Sequence, residues 1–111
     1  MSFSPLYNEV EPARKELDES TGWVLLEFGA GWCGHCLAAE PTIREMLADR
    51  SDFRHMRIAD GKGKPLGRSF RVKLWPTFFV LQNGQVVAEL VRPTASEIRR
   101  AFAALRGAEA G

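Results

Sequence analysis

The segment Trp23–Val24–Leu25–Leu26–Glu27–Phe28 is apolar at every position except Glu27. A short, near-continuous apolar run is the pattern of a strand buried on both faces. Such a strand needs covering layers on either side, which directs the chain towards a sheet flanked by helices. Gly29–Ala30–Gly31 breaks the strand, and Trp32–Cys33–Gly34–His35–Cys36 follows at once. A buried strand therefore hands over directly to a pair of thiols.

The remaining elements fall around that strand. Pro12 suits a first helical turn, and Ala13 and Leu17 have helical spacing, so Glu11 to Ser20 reads as a short helix ended by Thr21–Gly22. Leu37 to Asp49 is helical, with Leu37, Ile43, Met46 and Leu47 on one face and a kink expected at Pro41. Phe53 to Ala59 reads as a strand with Met56 and Ile58 on one side, and His55 lies on it. Leu66 to Val72 reads as a short helix after the loop Gly61 to Pro65. Thr77 to Gln82 is a strongly apolar strand, and Asn83–Gly84 signals a tight hairpin. Gln85 to Val91 returns antiparallel, with Val86 or Val87 expected to face inward. Thr94–Ala95–Ser96–Glu97 has the form of a capping box, and Ile98, Ala101, Phe102 and Leu105 form the apolar stripe of the helix it starts.

This order implies an α/β fold: a mixed sheet of four to five strands with helices on both faces. The chain has 111 residues, enough for one domain with a single core. Residues 1–10 read as an N-terminal arm or short edge strand, and about 107–111 as a frayed tail.

Composition excludes some roles. The formal net charge is +1, and Lys62–Gly63–Lys64 is too short a basic run to change its meaning, so nucleic acid and anionic membrane are not expected partners. No segment approaches the roughly 20 apolar residues that span a bilayer. Met1 to Val10 lacks the basic and apolar regions of a signal peptide. The expected location is the cytoplasm, or the periplasm or beyond if a leader has been trimmed.

The only two cysteines are Cys33 and Cys36. A link across so small a loop constrains the unfolded chain little, so the pair suits chemistry better than stapling. Disulfide exchange needs one thiolate to attack and a second thiol to resolve the mixed disulfide. This spacing on a first helical turn brings two sulfurs within bonding reach. The first lies at the helix N-terminus, where unpaired N–H groups and the dipole favour an anion. Cys33 is the expected exposed nucleophile and Cys36 the more buried resolver. An imidazolium at His35 would stabilise the thiolate further and make the protein a better oxidant. Gly34 allows a tight turn, and Trp32 offers an aromatic rim for a flexible substrate.

Three other readings stay open. The cysteines could be inert, the chain could be a client-binding or assembly module with little turnover, or Cys33, His35 and Cys36 could bind metal. A metal site would lack a second Cys/His pair, so no metal is assigned. Haem attachment fails because Leu37 stands where C-x-x-C-H needs histidine.

The chain resembles the thioredoxin superfamily from about Trp23 to Leu105. The resemblance is carried by Trp32–Cys33–Gly34–His35–Cys36, by Pro41, by Trp75–Pro76–Thr77 and by Asn83–Gly84, in that order. It implies a thioredoxin-like fold and a thiol–disulfide oxidoreductase with no cofactor. The expected partners are protein thiols or disulfides and a second redox protein that recharges the dithiol, with the chain acting as a monomer. It also implies a cis Pro76 that lies against the disulfide and offers a backbone edge to substrate. Glu27 stands where thioredoxins bury an acid; if isolated there it would stay protonated and exchange protons with Cys36, whereas the alternative is an exposed or paired carboxylate. His35 replaces the usual proline and resembles protein disulfide isomerase domains. Gly29 stands in place of an aromatic, Leu74–Trp75 in place of a small and an aliphatic residue, and Arg92–Pro93 in place of a glycine of the docking surface. Trp75 and Arg92 are therefore candidate substrate contacts alongside Trp32 and Pro76.

Overall fold

A computed structural model describes residues 2–110, with side chains to residue 105. Its elements run α1 (Arg14–Asp18), β1 (Trp23–Gly29), α2 (Gly34–Leu47), β2 (Phe53–Ala59), α3 (Pro65–Ser69), β3 (Thr77–Gln82), β4 (Gln85–Val91) and α4 (Ala95–Ala110). The sheet order is β2-β1-β3-β4. β1 and β2 are parallel, joined by the α2 crossover, and the other pairs are antiparallel. The frayed tail expected at about 107–111 lies outside the residues with described side chains.

β1 is buried along its whole length, as its apolar run requires. Alternation between its two faces follows from the pleat: Trp23 and Leu25 pack with Ala39, Ile43 and Leu47 of α2 and Ile98, Phe102 and Leu105 of α4. Val24, Leu26 and Phe28 point the other way, against Leu17 of α1 and Leu66 of α3. Each such buried aliphatic or aromatic side chain contributes roughly 1.5–3 kcal/mol. A slip of one residue would turn Glu27 into the wholly apolar second layer, so the register is strongly specified.

The hairpin follows its sequence signal. Asn83 and Gly84 have φ of 51° and 80°, as a primed two-residue turn requires. Gly84 is also needed for space, because a Cβ there would lie 2.0 Å from the Asp18 carbonyl oxygen. The capping box is formed too: Thr94 Oγ1 accepts from the Glu97 N–H at 3.1 Å, and Glu97 accepts from the Thr94 N–H at 2.8 Å.

Some expectations need correction. Val86 and Val87 both face solvent, and β4 instead packs Ala88 and Leu90 against the core. A register shift between Val80 and Leu81 of β3 separates the hairpin end from the rest of the ladder. The first helix is shorter than Glu11 to Ser20, because Ala13 is its extended N-cap and Pro12 lies outside it. Glu11 is instead drawn to α3, accepting from the Leu66 N–H at 3.2 Å. α3 likewise stops at Ser69, before Arg71 takes a φ of 61°. α2 begins at Gly34 rather than Leu37 and carries Pro41 within it.

Residues 2–10 form an arm along the free edge of β2. Asn8 makes a single parallel bridge to Ile58. Its N–H donates to the Arg57 carbonyl at 2.7 Å, and its carbonyl accepts from the Ala59 N–H at 3.0 Å. This is one step of a fifth strand, so the sheet has four strands with a pinned arm at its edge.

Candidate active site

Cys33 is the N-cap of α2, with extended backbone at φ −78° and ψ 120°. Its sulfur accepts from the Cys36 N–H at 3.3 Å, as a capping side chain does, and its carbonyl accepts from the Leu37 N–H at 3.0 Å. The sulfur therefore sits against the orphan amides of a helix start, where negative charge is stabilised. Both cysteines are free thiols. Cys36 is 1% exposed and Cys33 is 7% exposed. The expected order of accessibility holds, but Cys33 is not an exposed residue: Ala30, Tyr7 and Trp75 close around the pair. Burial, followed by the interaction with Cys33, pushes the Cys36 thiol up to about 11. Cys36 is thus a thiol that needs help to ionise.

On the solvent side, Trp32 is 78% exposed. It meets Trp75 edge to face, with ring centroids 5.5 Å apart. Trp75 is half-buried, and its indole N–H donates to Asp60 Oδ2 at 2.9 Å. The Trp75–Pro76 peptide bond is cis, and Pro76 is buried. Arg92 has a φ of 44°; its N–H donates to the Pro76 carbonyl at 2.7 Å and its Nε to the Trp75 carbonyl at 2.8 Å. Two carbonyls of the backbone edge expected for substrate are therefore already taken by Arg92. A groove of about 410 Å³ runs beside them, lined among others by His35, Ala38, Pro76, Arg92 and Pro93. Gly34 and His35 are exposed on the first turn of α2. The structure thus gathers Trp32, Gly34, His35, Trp75, Pro76 and Arg92 around the outer side of the dithiol.

The inner side departs from expectation. Glu27 is 2% exposed, but it is not an isolated acid. Arg57 grips it with Nε to Oε1 and Nη2 to Oε2, both at 3.1 Å. His55 Nε2 lies 2.9 Å from Oε1, and the Tyr7 hydroxyl donates to Oε2 at 2.5 Å. His55 Nδ1 accepts from the Ser4 N–H at 2.9 Å, so the ring carries its proton on Nε2 and donates it to Glu27. Burial alone would push the Glu27 carboxyl up, but the His55 hydrogen bond and the Arg57 charge outweigh it and hold it below the usual range. Glu27 is ionised, not protonated as expected of an isolated acid. Arg57 also donates to Glu40 Oε2 at 2.9 Å, and to the carbonyls of Ser4 and Pro5 at 3.3 and 3.2 Å.

Tyr7, His55, Arg57 and Glu40 are site residues that sequence reasoning missed. A signal existed for two of them. In a strand with Met56 and Ile58 on one face, His55 and Arg57 share the other with Phe53. In the parallel register Arg57 lies directly beside Glu27. Tyr7 had no such signal, since it lies in the irregular arm.

A family model described as Thioredoxin matches residues 7–104. The chain belongs to the thioredoxin family. Among solved structures, reduced thioredoxin 2 from Pseudomonas aeruginosa PAO1 is 50% identical, with a TM-score of 0.81 over 91% of this chain and 94% of that one. Among curated relatives, thioredoxin H4-1 of Oryza sativa subsp. japonica is 33% identical over 74% of this chain, and thioredoxin H2-1 of the same plant is 29% identical over 78%. The chain spans 63% of the length of each of these two relatives.

Set among thioredoxins, Gly29 acquires a reason. A Cβ at Gly29 would lie 2.7 Å from the Cys36 sulfur, 2.9 Å from the Tyr7 hydroxyl and 3.2 Å from the Tyr7 ring. The aromatic missing from β1 of this chain has a counterpart in Tyr7 of the arm, whose hydroxyl borders the space left by glycine.

Proposed function

We propose that this chain exchanges its Cys33–Cys36 dithiol with disulfides of protein substrates and is recharged by a separate redox protein. The observation that carries this reading is the placement of the two free thiols: Cys33 capping α2 and Cys36 buried one turn inward. Cys33 thiolate attacks a substrate sulfur and releases the other as a thiolate. Cys36 then displaces the substrate from Cys33, leaving the intramolecular disulfide and a reduced substrate. Family membership supports the same chemistry.

The rim of Trp32 and Trp75 and the adjoining groove suit a flexible polypeptide better than a small thiol. His35, on the open side, supports a poise nearer to that of an oxidant or isomerase than a proline there would give. Two cysteines, both in the motif, fit a reducing compartment such as the cytosol. The domain would work as a monomer.

Insulin reduction by dithiothreitol, followed as precipitation, tests the reading. The wild type should accelerate it and Cys33→Ser should be indistinguishable from buffer. Equal rates for wild type and Cys33→Ser would end the proposal.

A further inference from the structure

The Cys36 thiol is 1% exposed, so its proton needs a path out before Cys36 can attack Cys33. Gly29 leaves a space that the Cys36 sulfur and the Tyr7 hydroxyl both border. The Tyr7 ring packs against the dithiol cluster, and its hydroxyl donates to Glu27 Oε2. The other Glu27 oxygen is occupied by His55 Nε2 and Arg57 Nε. Since the Tyr7 proton points at Glu27, its oxygen lone pairs are left to receive a proton from the sulfur side.

We propose that the Tyr7 hydroxyl carries the Cys36 proton to Glu27 during resolution of the mixed disulfide, a role that rests on the dithiol exchange proposed above. The proton of Cys36 moves to the Tyr7 oxygen as the Tyr7 proton moves to Glu27 Oε2. The hydroxyl then donates to the new Cys36 thiolate. That thiolate attacks the Cys33 sulfur, the Cys33–Cys36 bond forms, and the bond from Cys33 to the substrate sulfur breaks. The substrate leaves as a thiolate with the electron pair of that bond. The enzyme dithiol is oxidised by two electrons, the substrate disulfide is reduced by two, and the proton rests on Glu27 before passing to water.

The surroundings fit this traffic. The groups facing the hydroxyl are Glu27 from β1, Arg57 from β2 and Cys36 from the first turn of α2, with His55 and Glu40 behind Glu27 and Arg57. Burial, then Glu27, raises the Tyr7 hydroxyl far above its ordinary value, so it stays protonated and acts by exchange rather than as a tyrosinate. When Glu27 takes the proton, Arg57 keeps a carboxylate partner in Glu40, whose side chain is 25% exposed. His55 has both ring nitrogens engaged, by Ser4 and by Glu27, and serves as a positioning residue for the carboxylate.

The experiment isolates the second step. The mixed disulfide of Cys33 with thionitrobenzoate is formed in mild acid and jumped to neutral pH, and release of thionitrobenzoate is followed by absorbance. Wild type should release it and Cys36→Ser should not. In Tyr7→Phe, which keeps the ring over Arg57 (4.0 Å from guanidinium to centroid), release should slow at least about tenfold, with its pH profile displaced upward. Iodoacetamide trapping of Cys33 should change far less. Glu27→Gln should slow release by a comparable factor, and the double variant should be no slower than the slower single one. Unchanged release in folded Tyr7→Phe, judged by circular dichroism, would overturn the relay, as would factors that multiply in the double variant. Failure of the wild type to release would instead overturn the dithiol exchange itself.

Discussion

The outer and inner sides of the dithiol are built differently. The outer side takes Trp32, Gly34 and His35 from one motif, Trp75 and Pro76 from a second and Arg92 from the end of β4. Most of these residues are exposed, and they are joined by a ring contact and a few hydrogen bonds. The inner side takes Tyr7 from the arm, Glu27 from β1, His55 and Arg57 from β2 and Glu40 from α2. These groups form one hydrogen-bonded network, buried at Glu27, His55 and Arg57 and partly open at Tyr7 and Glu40. A change on the outer side should therefore move binding and redox poise while leaving stability nearly alone. A change on the inner side should cost stability, because a buried charge left without its partner is expensive.

The sharpest break in that contrast is Arg57→Met. It strands the Glu27 carboxylate and should cost about 3–5 kcal/mol in guanidinium unfolding. Glu27→Leu combined with Arg57→Met should recover much of that loss, since an apolar replacement of both partners of a buried pair is often neutral or better. A double variant as unstable as Arg57→Met would show that the network stabilises the fold beyond its charge balance.

Acid should reveal the same pair more gently. The folded Glu27 carboxyl lies below its ordinary value of 4.5, so the unfolded chain takes up its proton first as pH falls. The stability it contributes is fully present above that value and is lost as pH drops through the folded value. Unfolding free energy measured from neutral pH downward should therefore fall more steeply below about 4.5 in wild type than in the Glu27→Leu, Arg57→Met double variant. Parallel curves would remove Glu27 as the source of the slope.

The smallest expected stability change lies outside. His35 occupies the first turn of α2, where proline is tolerated, so His35→Pro should remain within about 0.5 kcal/mol of wild type. Its equilibrium with glutathione should nevertheless shift towards the disulfide, marking a lower reduction potential. An unshifted equilibrium would take His35 out of the tuning role.

The same division decides what could be read in advance. Strand boundaries at Phe53–Ala59, Thr77–Gln82 and Gln85–Val91, the hairpin at Asn83–Gly84 and the cap at Thr94 follow from local patterns, and the structure forms them as read. The inward positions of β4 did not, because an edge strand carries apolar residues on both faces and only packing chooses between them. The outer site was legible because its residues sit in short contiguous motifs. The inner site was legible only at Glu27, and its charge state was left open between a protonated acid and a paired carboxylate because the partners lie 20 to 30 residues away in sequence.

By itself, then, the sequence determined a strand buried on both faces running into two thiols at a helix start. Hydrophobic period and turn chemistry act between near neighbours, and they suffice for that. Tertiary structure alone decided that Glu27 is an ionised member of a network and that Tyr7 stands beside Cys36. Both depend on the arm crossing the edge of β2 and on parallel pairing that sets Arg57 beside Glu27. The physical reason is that a buried charge is governed by whatever the fold brings within a few ångströms, and chain order does not record that distance.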